Sequence, residues 1–240
     1  MNGARVEVHD DSAGLATAIA GELLSRLADL QAGGAIPQIG LTGGTIADAV
    51  HREVARLSPS FEVDWARVVI WFGDERFVPA DSPDRNVGQA RAAFLDAVGA
   101  TQVHEVPASD VVESAEVAAE AYAATMREHG AGEFSILMLG IGPDGHVASL
   151  FPGHPALEVH DQITIAVHDS PKPPPERVSL TFPCLNRSAS VWFLASGDGK
   201  AEAVARALAD EGSVTETPAR GVTGSTETTW FLDAAAAASL

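Results

Sequence analysis

The chain has 240 residues, 46% of them hydrophobic and 20% charged, with a formal net charge of −18. That size and apolar share suit a single domain over 1–240 with a full core, and the acidic balance argues against nucleic acid or an anionic membrane as a main partner. Cys184 is the one cysteine, which excludes an internal disulfide, and Lys172 and Lys200 are the only lysines, so an anionic ligand would need a local basic cluster.

The opening residues hold no apolar signal core, and no apolar run reaches the roughly 20 residues of a membrane span. The expected location is therefore cytoplasmic. Residues 6–9 read as a short strand, with Asp10, Asp11 and Ser12 as N-cap material. Leu15, Ile19, Leu23, Leu24, Leu27 and Leu30 recur at helical spacing, and Gly33 and Gly34 end that run. A strand over 36–41 carries Pro37 near its start. Thr42-Gly43-Gly44-Thr45 then leads into a helix marked by Ile46, Val50, Val54 and Leu57. A strand, a glycine-threonine turn and a helix start bring free N–H groups, hydroxyls and the positive helix end together, which makes an anion site. The turn lacks the lysine and spacing of a P-loop. An ordinary tight turn with threonine N-caps reads equally well from the same residues.

Residues 68–72 form the third predicted strand. Gly73, Asp74, Glu75 and Arg76 follow at its carboxyl end, where ligands of open α/β sheets sit. The plain alternative is a solvated loop whose charges pair with one another. Beyond the polar segment 81–86, residues 90–98 read as helix, 103–106 as a short strand and 112–129 as helix. This alternation predicts a mostly parallel sheet with helices on both faces.

The stretch 134–153, FSILMLGIGPDGHVASLFPG, carries the strongest signal. Its apolar opening fits a strand buried on both faces. The loop that follows holds three glycines, Pro143 and Asp144, and delivers His146. Gly140, Gly142 and Gly145 match the dinucleotide pattern G-x-G-x-x-G, and Asp169 stands at about the expected distance beyond it. That pattern requires a long helix directly after the loop, and Pro152 and Gly153 leave room for under about two turns. Residues 163–167 are strand-like. The segment 170–177, SPKPPPER, is stiff and extended, with Lys172 and Arg177 embedded in it. Val178, Leu180 and Phe182 then alternate as in a half-buried strand. A turn at 186–188, a buried strand over 191–195, an acid-capped helix over 198–209, a polar loop over 211–226 and a last strand over 228–232 complete the chain. Asp233 is placed to cap an alanine-rich terminal helix.

Taken together, LTGG at 41–44, WFGDERFVP at 71–79, DSPDRN at 81–86, GIGPDGHVASLFPG at 140–153, SPKPPPERVSL at 170–180 and the terminal WFLDAAAA resemble the 6-phosphogluconolactonase family, which is related to the glucosamine-6-phosphate isomerases. The match runs in order over nearly the whole chain. It departs at Thr45-Ile46-Ala47, where the family reads more like SGGSTP, so the hydroxyl that meets phosphate stays open. The resemblance implies an isomerase-like, modified Rossmann α/β fold. It implies hydrolysis of 6-phosphoglucono-δ-lactone to 6-phosphogluconate in the oxidative pentose phosphate pathway, with no metal or organic cofactor. The aminosugar isomerases carry a glutamate five residues past the loop histidine, where this chain has Phe151, and ester hydrolysis has no need of that group.

A lactone is an activated ester, and its hydrolysis needs a water, a base and stabilisation of an oxyanion. An imidazole suits the base role at neutral pH, which points to His146. Asp74 and Asp144 are both candidates to orient it or to hold sugar hydroxyls. Gly142 to His146 could offer N–H groups to the oxyanion, and Arg76 a side chain. Arg76, Lys172 and Arg177 fit the phosphate, with Thr42, Gly43, Gly44 and Thr45 adding donors, and Asn86 fits a sugar hydroxyl. His146, His154, His160 and His168 show no metal-binding spacing, and Cys184 reads as a buried small residue. The expected partner is a small sugar-phosphate lactone and the expected state a monomer or weak homodimer. An aminosugar isomerase, a sugar-phosphate sensor and a nicotinamide enzyme are the competing readings.

Overall fold

In the computed structural model, which describes residues 3–240, the chain opens with β1 (Arg5–His9) and α1 (Ser12–Ala32). Asp11 caps α1 by accepting the Gly14 N–H at 2.8 Å. β2 (Gln38–Leu41), α2 (Thr45–Leu57), β3 (Val69–Phe72) and β4 (Asp74–Arg76) follow. α3 (Asn86–Ala90) runs through a π-helical stretch, Arg91–Leu95, into α4 (Asp96–Val98), and Gly99 ends it at φ 73°. The remaining elements are β5 (Gln102–Val103), α5 (Ala115–His129), β6 (Phe134–Gly140), β7 (Thr164–Val167), β8 (Arg177–Leu180), α6 (Phe182–Leu185), β9 (Ser188–Ala195), α7 (Ala201–Leu208) and β10 (Glu227–Asp233).

Seven strands make one parallel sheet in the order β1-β10-β9-β6-β2-β3-β5. The central strands are apolar on both faces because helices cover both. Ile70, Phe72, Ile136 and Met138 pack with α1 and α2 in one core; Trp71, Leu137, Leu139 and Phe193 pack with α5 and α7 in the other. Each fully buried Leu or Phe contributes about 1.5–3 kcal/mol of transfer free energy. Two polar anchors tie this frame: Trp71 Nε1 donates to Gln38 Oε1 at 2.7 Å, and the Tyr122 hydroxyl accepts the Phe72 N–H at 2.8 Å. Among the described residues no helix is long and apolar enough to cross a membrane.

Beyond the carboxyl end of β3 the chain enters a second, antiparallel sheet, β4-β8-β7. The sequence suggested a loop at Asp74–Arg76. Those residues instead form β4, with Asp74 opposite Ser179 and Arg76 opposite Arg177. β8 was expected to be half-buried, yet all its residues are buried, because it is the central strand of this sheet. Phe182 does not extend β8 but opens α6. The 90–98 helix starts earlier, at Asn86, and the 112–129 helix later, at Ala115, where Ser114 caps it. A 3-10 turn, Asp198–Lys200, precedes α7, and Gly197 rather than an acid stands before it. Asp233 does accept the Ala236 N–H at 2.8 Å, but the alanine tail continues only in turns.

Candidate active site

The carboxyl ends of β2, β3, β6 and β9 and the small sheet enclose a cavity of about 550 Å³. It is lined by Thr42, Gly43, Gly44, Thr45, Asp74, Arg76, Asn86, Gly142, His146, Lys172 and Arg177, and also by Lys200, Ala148, Ser196 and Ser12. Residues drawn from seven separate stretches of sequence therefore meet in one place. Asp144 stands at its edge, bonded to His146.

The loop after β6 builds the reactive corner. His146 Nδ1 lies 2.5 Å from Asp144 Oδ1. An ionised carboxylate accepts, so Nδ1 carries the proton and Nε2 is left with its lone pair free. Partial burial alone would raise the Asp144 carboxyl, but the His146 hydrogen bond, with help from the Lys172 charge, opposes it, and Asp144 is held well below the usual carboxylate range. Of the two carboxylates left open by the sequence, Asp144 is the one on the imidazole. A side chain at Gly142 would fall inside both His146 Nδ1 and Asp144 Oδ1, so this close approach requires glycine. Gly145 takes φ 92°, and Ala148 takes φ 49°, a left-handed conformation that costs a non-glycine residue roughly 1–2 kcal/mol.

Of the loop N–H groups expected to serve an oxyanion, those of Gly142, Gly145 and His146 are already engaged. Gly142 N–H donates to the His146 carbonyl and Gly145 N–H to the Gly142 carbonyl, both at 2.9 Å, and His146 N–H leans on Asp144 Oδ1 at 3.4 Å. No helix follows the loop: residues 147–150 close a tight bridge, which removes the dinucleotide reading. Phe151 is buried and tilts against His146, with ring centroids 4.6 Å apart.

The small sheet supplies the charges. Alternation along β4 sends Asp74 and Arg76 to the cavity and Glu75 away from it. Asp74 Oδ2 accepts from Ser149 Oγ at 2.6 Å and lies 4.0 Å from Arg177 Nη1. Asn86 is not a free ligand for a sugar hydroxyl. Its amide donates to the Asp74 carbonyl at 2.8 Å and accepts from Arg76 Nη1. Arg177 is not an exposed fork either. It is 5% exposed, and its Nε and Nη2 hold the carbonyls of Pro174, Lys172 and Pro173, which shapes the proline loop and leaves Nη1 toward the cavity. Burial, above all, lowers the Arg177 pKa; Asp74 opposes that shift and Arg76 adds to it.

At the Thr42–Thr45 turn neither threonine caps α2. Gly44 occupies the cap at φ 104° with no side-chain bond, so the first N–H groups of the helix are left uncapped. Lys200 was not among the residues expected here. Its ammonium donates to the Ile141 carbonyl at 2.7 Å, and its pKa is lowered, first by burial and then by Lys172. The available signal was a scarce lysine in a glycine-rich turn after a buried strand. Among the described residues no group of three His, Cys, Asp or Glu side chains is placed to hold a metal ion.

Residues 10–230 match the family described as glucosamine-6-phosphate isomerases/6-phosphogluconolactonase. The chain belongs to this family. A 6-phosphogluconolactonase of Streptomyces coelicolor is 43% identical over 97% of this chain and 93% of its own length, and one of Mycobacterium bovis is 40% identical over 98% of each. The crystal structure of a 6-phosphogluconolactonase from Thermotoga maritima superposes with a TM-score of 0.84 at 28% identity, covering 96% of this chain and 99% of that one. The α/β fold with a mostly parallel sheet is that of the family.

Proposed function

We propose that this protein hydrolyses 6-phosphoglucono-δ-lactone to 6-phosphogluconate, with His146 as the base. The observation that carries the reading is the His146–Asp144 pair at 2.5 Å on the wall of a cavity rich in cations, in a chain whose net charge is −18. Asp144 holds the imidazole in the tautomer that presents Nε2. Nε2 takes a proton from water as the water oxygen attacks the lactone carbonyl. The tetrahedral intermediate then collapses, and the imidazolium returns the proton to the ring oxygen that leaves.

The phosphate lies at the Thr42–Thr45 turn, where the uncapped N–H groups of α2 and the Arg76 guanidinium converge, and Lys172 and Lys200 close over it. Arg76 and Arg177 face each other across β4 and β8. Two guanidinium groups in that relation repel unless an anion lies between or beside them. Arg177 and His146 share Phe151, with the guanidinium carbon 5.8 Å from the ring centroid, so Arg177 is the cation for the oxyanion. This shifts Arg177 away from the phosphate role that the sequence suggested. Asp74, fixed by Ser149, takes a sugar hydroxyl. The apolar face of Phe151 gives no carboxylate for ring opening beside His146, which favours the lactonase over the isomerase.

The test generates the unstable lactone in place with glucose-6-phosphate dehydrogenase and follows 6-phosphogluconate above the spontaneous rate. Acceleration by the protein is the expected result. No acceleration, together with release of ammonia from glucosamine 6-phosphate, would contradict the reading.

A further inference from the structure

Glu75 is the one charged residue of β4 that does not face the cavity, and it is 1% exposed. An isolated buried carboxylate is costly unless it is fully engaged. Its engagements all lead to the residues that shape the cation side of the site. Oε1 accepts the Arg76 N–H at 2.9 Å and the Asn86 N–H at 2.7 Å, and Oε2 accepts the Val87 N–H at 3.0 Å. The carboxylate thus ties β4 of the small sheet to the start of α3. Asn86, held there by its backbone, uses its side chain to grip Arg76 Nη1 and the Asp74 carbonyl. Arg76 Nη1 also donates to the Asp84 carbonyl at 3.2 Å. Behind Glu75 stands Arg85, 2% exposed, whose charge opposes the effect of burial on the carboxylate and whose Nη2 donates to the Val106 carbonyl at 2.6 Å.

The guanidinium set by these bonds sits against the α2 turn. A side chain at Gly43 would overlap Asn86 Oδ1 and come within 3.2 Å of Arg76 Nη1. Arg76 Nε is buried and has no partner among the described residues. The group is therefore held in place by Nη1 alone, through Asn86 and the Asp84 carbonyl.

We propose that Glu75 is a positioning residue: its buried carboxylate acts through the backbones of Arg76 and Asn86 to aim the Arg76 guanidinium at the anion site beside the Thr42–Thr45 turn. This rests on the reading of that turn and Arg76 as the phosphate site. Glu75→Gln keeps the size and one acceptor oxygen, sets an amide N–H₂ against the Val87 N–H, and removes the charge beside Arg85. A displaced cation of this kind costs about tenfold to a hundredfold in kcat/KM.

The test is a double-mutant cycle on the full chain with Glu75→Gln, Arg76→Ala and the pair, measuring kcat and KM for the lactone and the calorimetric Kd for 6-phosphogluconate. If Glu75 acts through Arg76, Glu75→Gln weakens product binding and raises KM in the wild type, and changes neither by more than about twofold in the Arg76→Ala background. Equal losses in both backgrounds, or wild-type constants for Glu75→Gln, would overturn it. Glu75→Asp keeps the charge but is a methylene too short to reach all three N–H groups, and it carries the same cycle if Glu75→Gln does not fold. Failure of both to fold would also overturn the proposal, because the residue would then hold the fold rather than the guanidinium. A wild type that hydrolyses no lactone and binds no 6-phosphogluconate would instead sink the functional reading beneath it.

Discussion

The parallel sheet and the small antiparallel sheet contribute to the site in opposite ways. The seven parallel strands deliver backbone: glycine turns at Gly43–Gly44 and Gly140–Gly145, an uncapped helix start, and one imidazole on a tight loop. The three antiparallel strands deliver charge, with Asp74, Glu75 and Arg177 all buried in a sheet of few residues. Such groups are tolerated because each is tied to backbone or to a neighbour. The proposed base sits on a glycine loop of the large sheet, while the side chains of the small sheet also hold its own strands and loops together. Substitutions in the glycine loop should therefore strike kcat, and those in the small sheet should divide between KM, kcat and stability.

The largest effect should come from the glycine loop. Gly142→Ala forces apart His146 and Asp144, so steady-state kcat should fall by about 10²–10⁴ while 6-phosphogluconate still binds in calorimetry. Asp144→Asn keeps the shape but offers Nδ1 an amide that can turn its N–H₂ inward and favour the wrong tautomer. Its kcat should drop by up to about 10⁴ with a smaller change in KM. On the small sheet, Arg177→Ala removes both the guanidinium beside His146 and the clasp on the carbonyls of Lys172, Pro173 and Pro174. Thermal unfolding and kinetics together should show a lower Tm and a kcat loss of about 10²–10³. Retained kcat with raised KM would move Arg177 back to the phosphate.

The smallest effect lies at the outer edge of the same region. His168 Nε2 pairs with Glu116 Oε1 at 2.7 Å and Nδ1 with Glu176 Oε1 at 3.4 Å, which fastens the proline loop to α5. The Glu116 bond, ahead of the opposing effect of burial, raises the His168 pKa. A group with a raised folded pKa stabilises fully below its unfolded value, and that gain is lost as pH rises through the folded value. Glu116→Gln should therefore lower Tm by about a degree or less at about pH 6, and by less at about pH 9, where the ion pair is lost and only the place of Glu116 in the first turn of α5 still favours its charge.

Much of the large sheet was legible in the sequence. Apolar runs of strand length at 68–72, 134–139 and 191–195 lie within a residue or a few of β3, β6 and β9, because burial on both faces leaves a simple pattern. The small sheet was not. Asp74-Glu75-Arg76 has no strand propensity to show, and only its pairing with Arg177–Leu180, about a hundred residues on, makes it a strand. The commitments of Asn86 to Asp74 and Arg76, and of Arg177 to the carbonyls of Lys172, Pro173 and Pro174, lie within a few turns of chain, yet they depend on how the loops fold back and not on residue type, so local reading left both side chains free for ligand. A place at a strand's carboxyl end marked Arg76 and the proline segment marked Lys172, while Lys200 reaches the cavity only because the turn that opens α7 follows β9 at the carboxyl edge. The choice between Asp74 and Asp144 for His146 depended on a loop geometry that no spacing rule encodes.

The central claim is that His146 is the base of a lactone hydrolase, and its most direct test is one side-by-side measurement. Wild type and His146→Ala, matched for folded concentration and for 6-phosphogluconate binding, are assayed on lactone generated in place. The account predicts strong acceleration by the wild type and a loss of about 10²–10⁴ in kcat for the variant. Equal acceleration by both would contradict it and move the base away from the loop after β6.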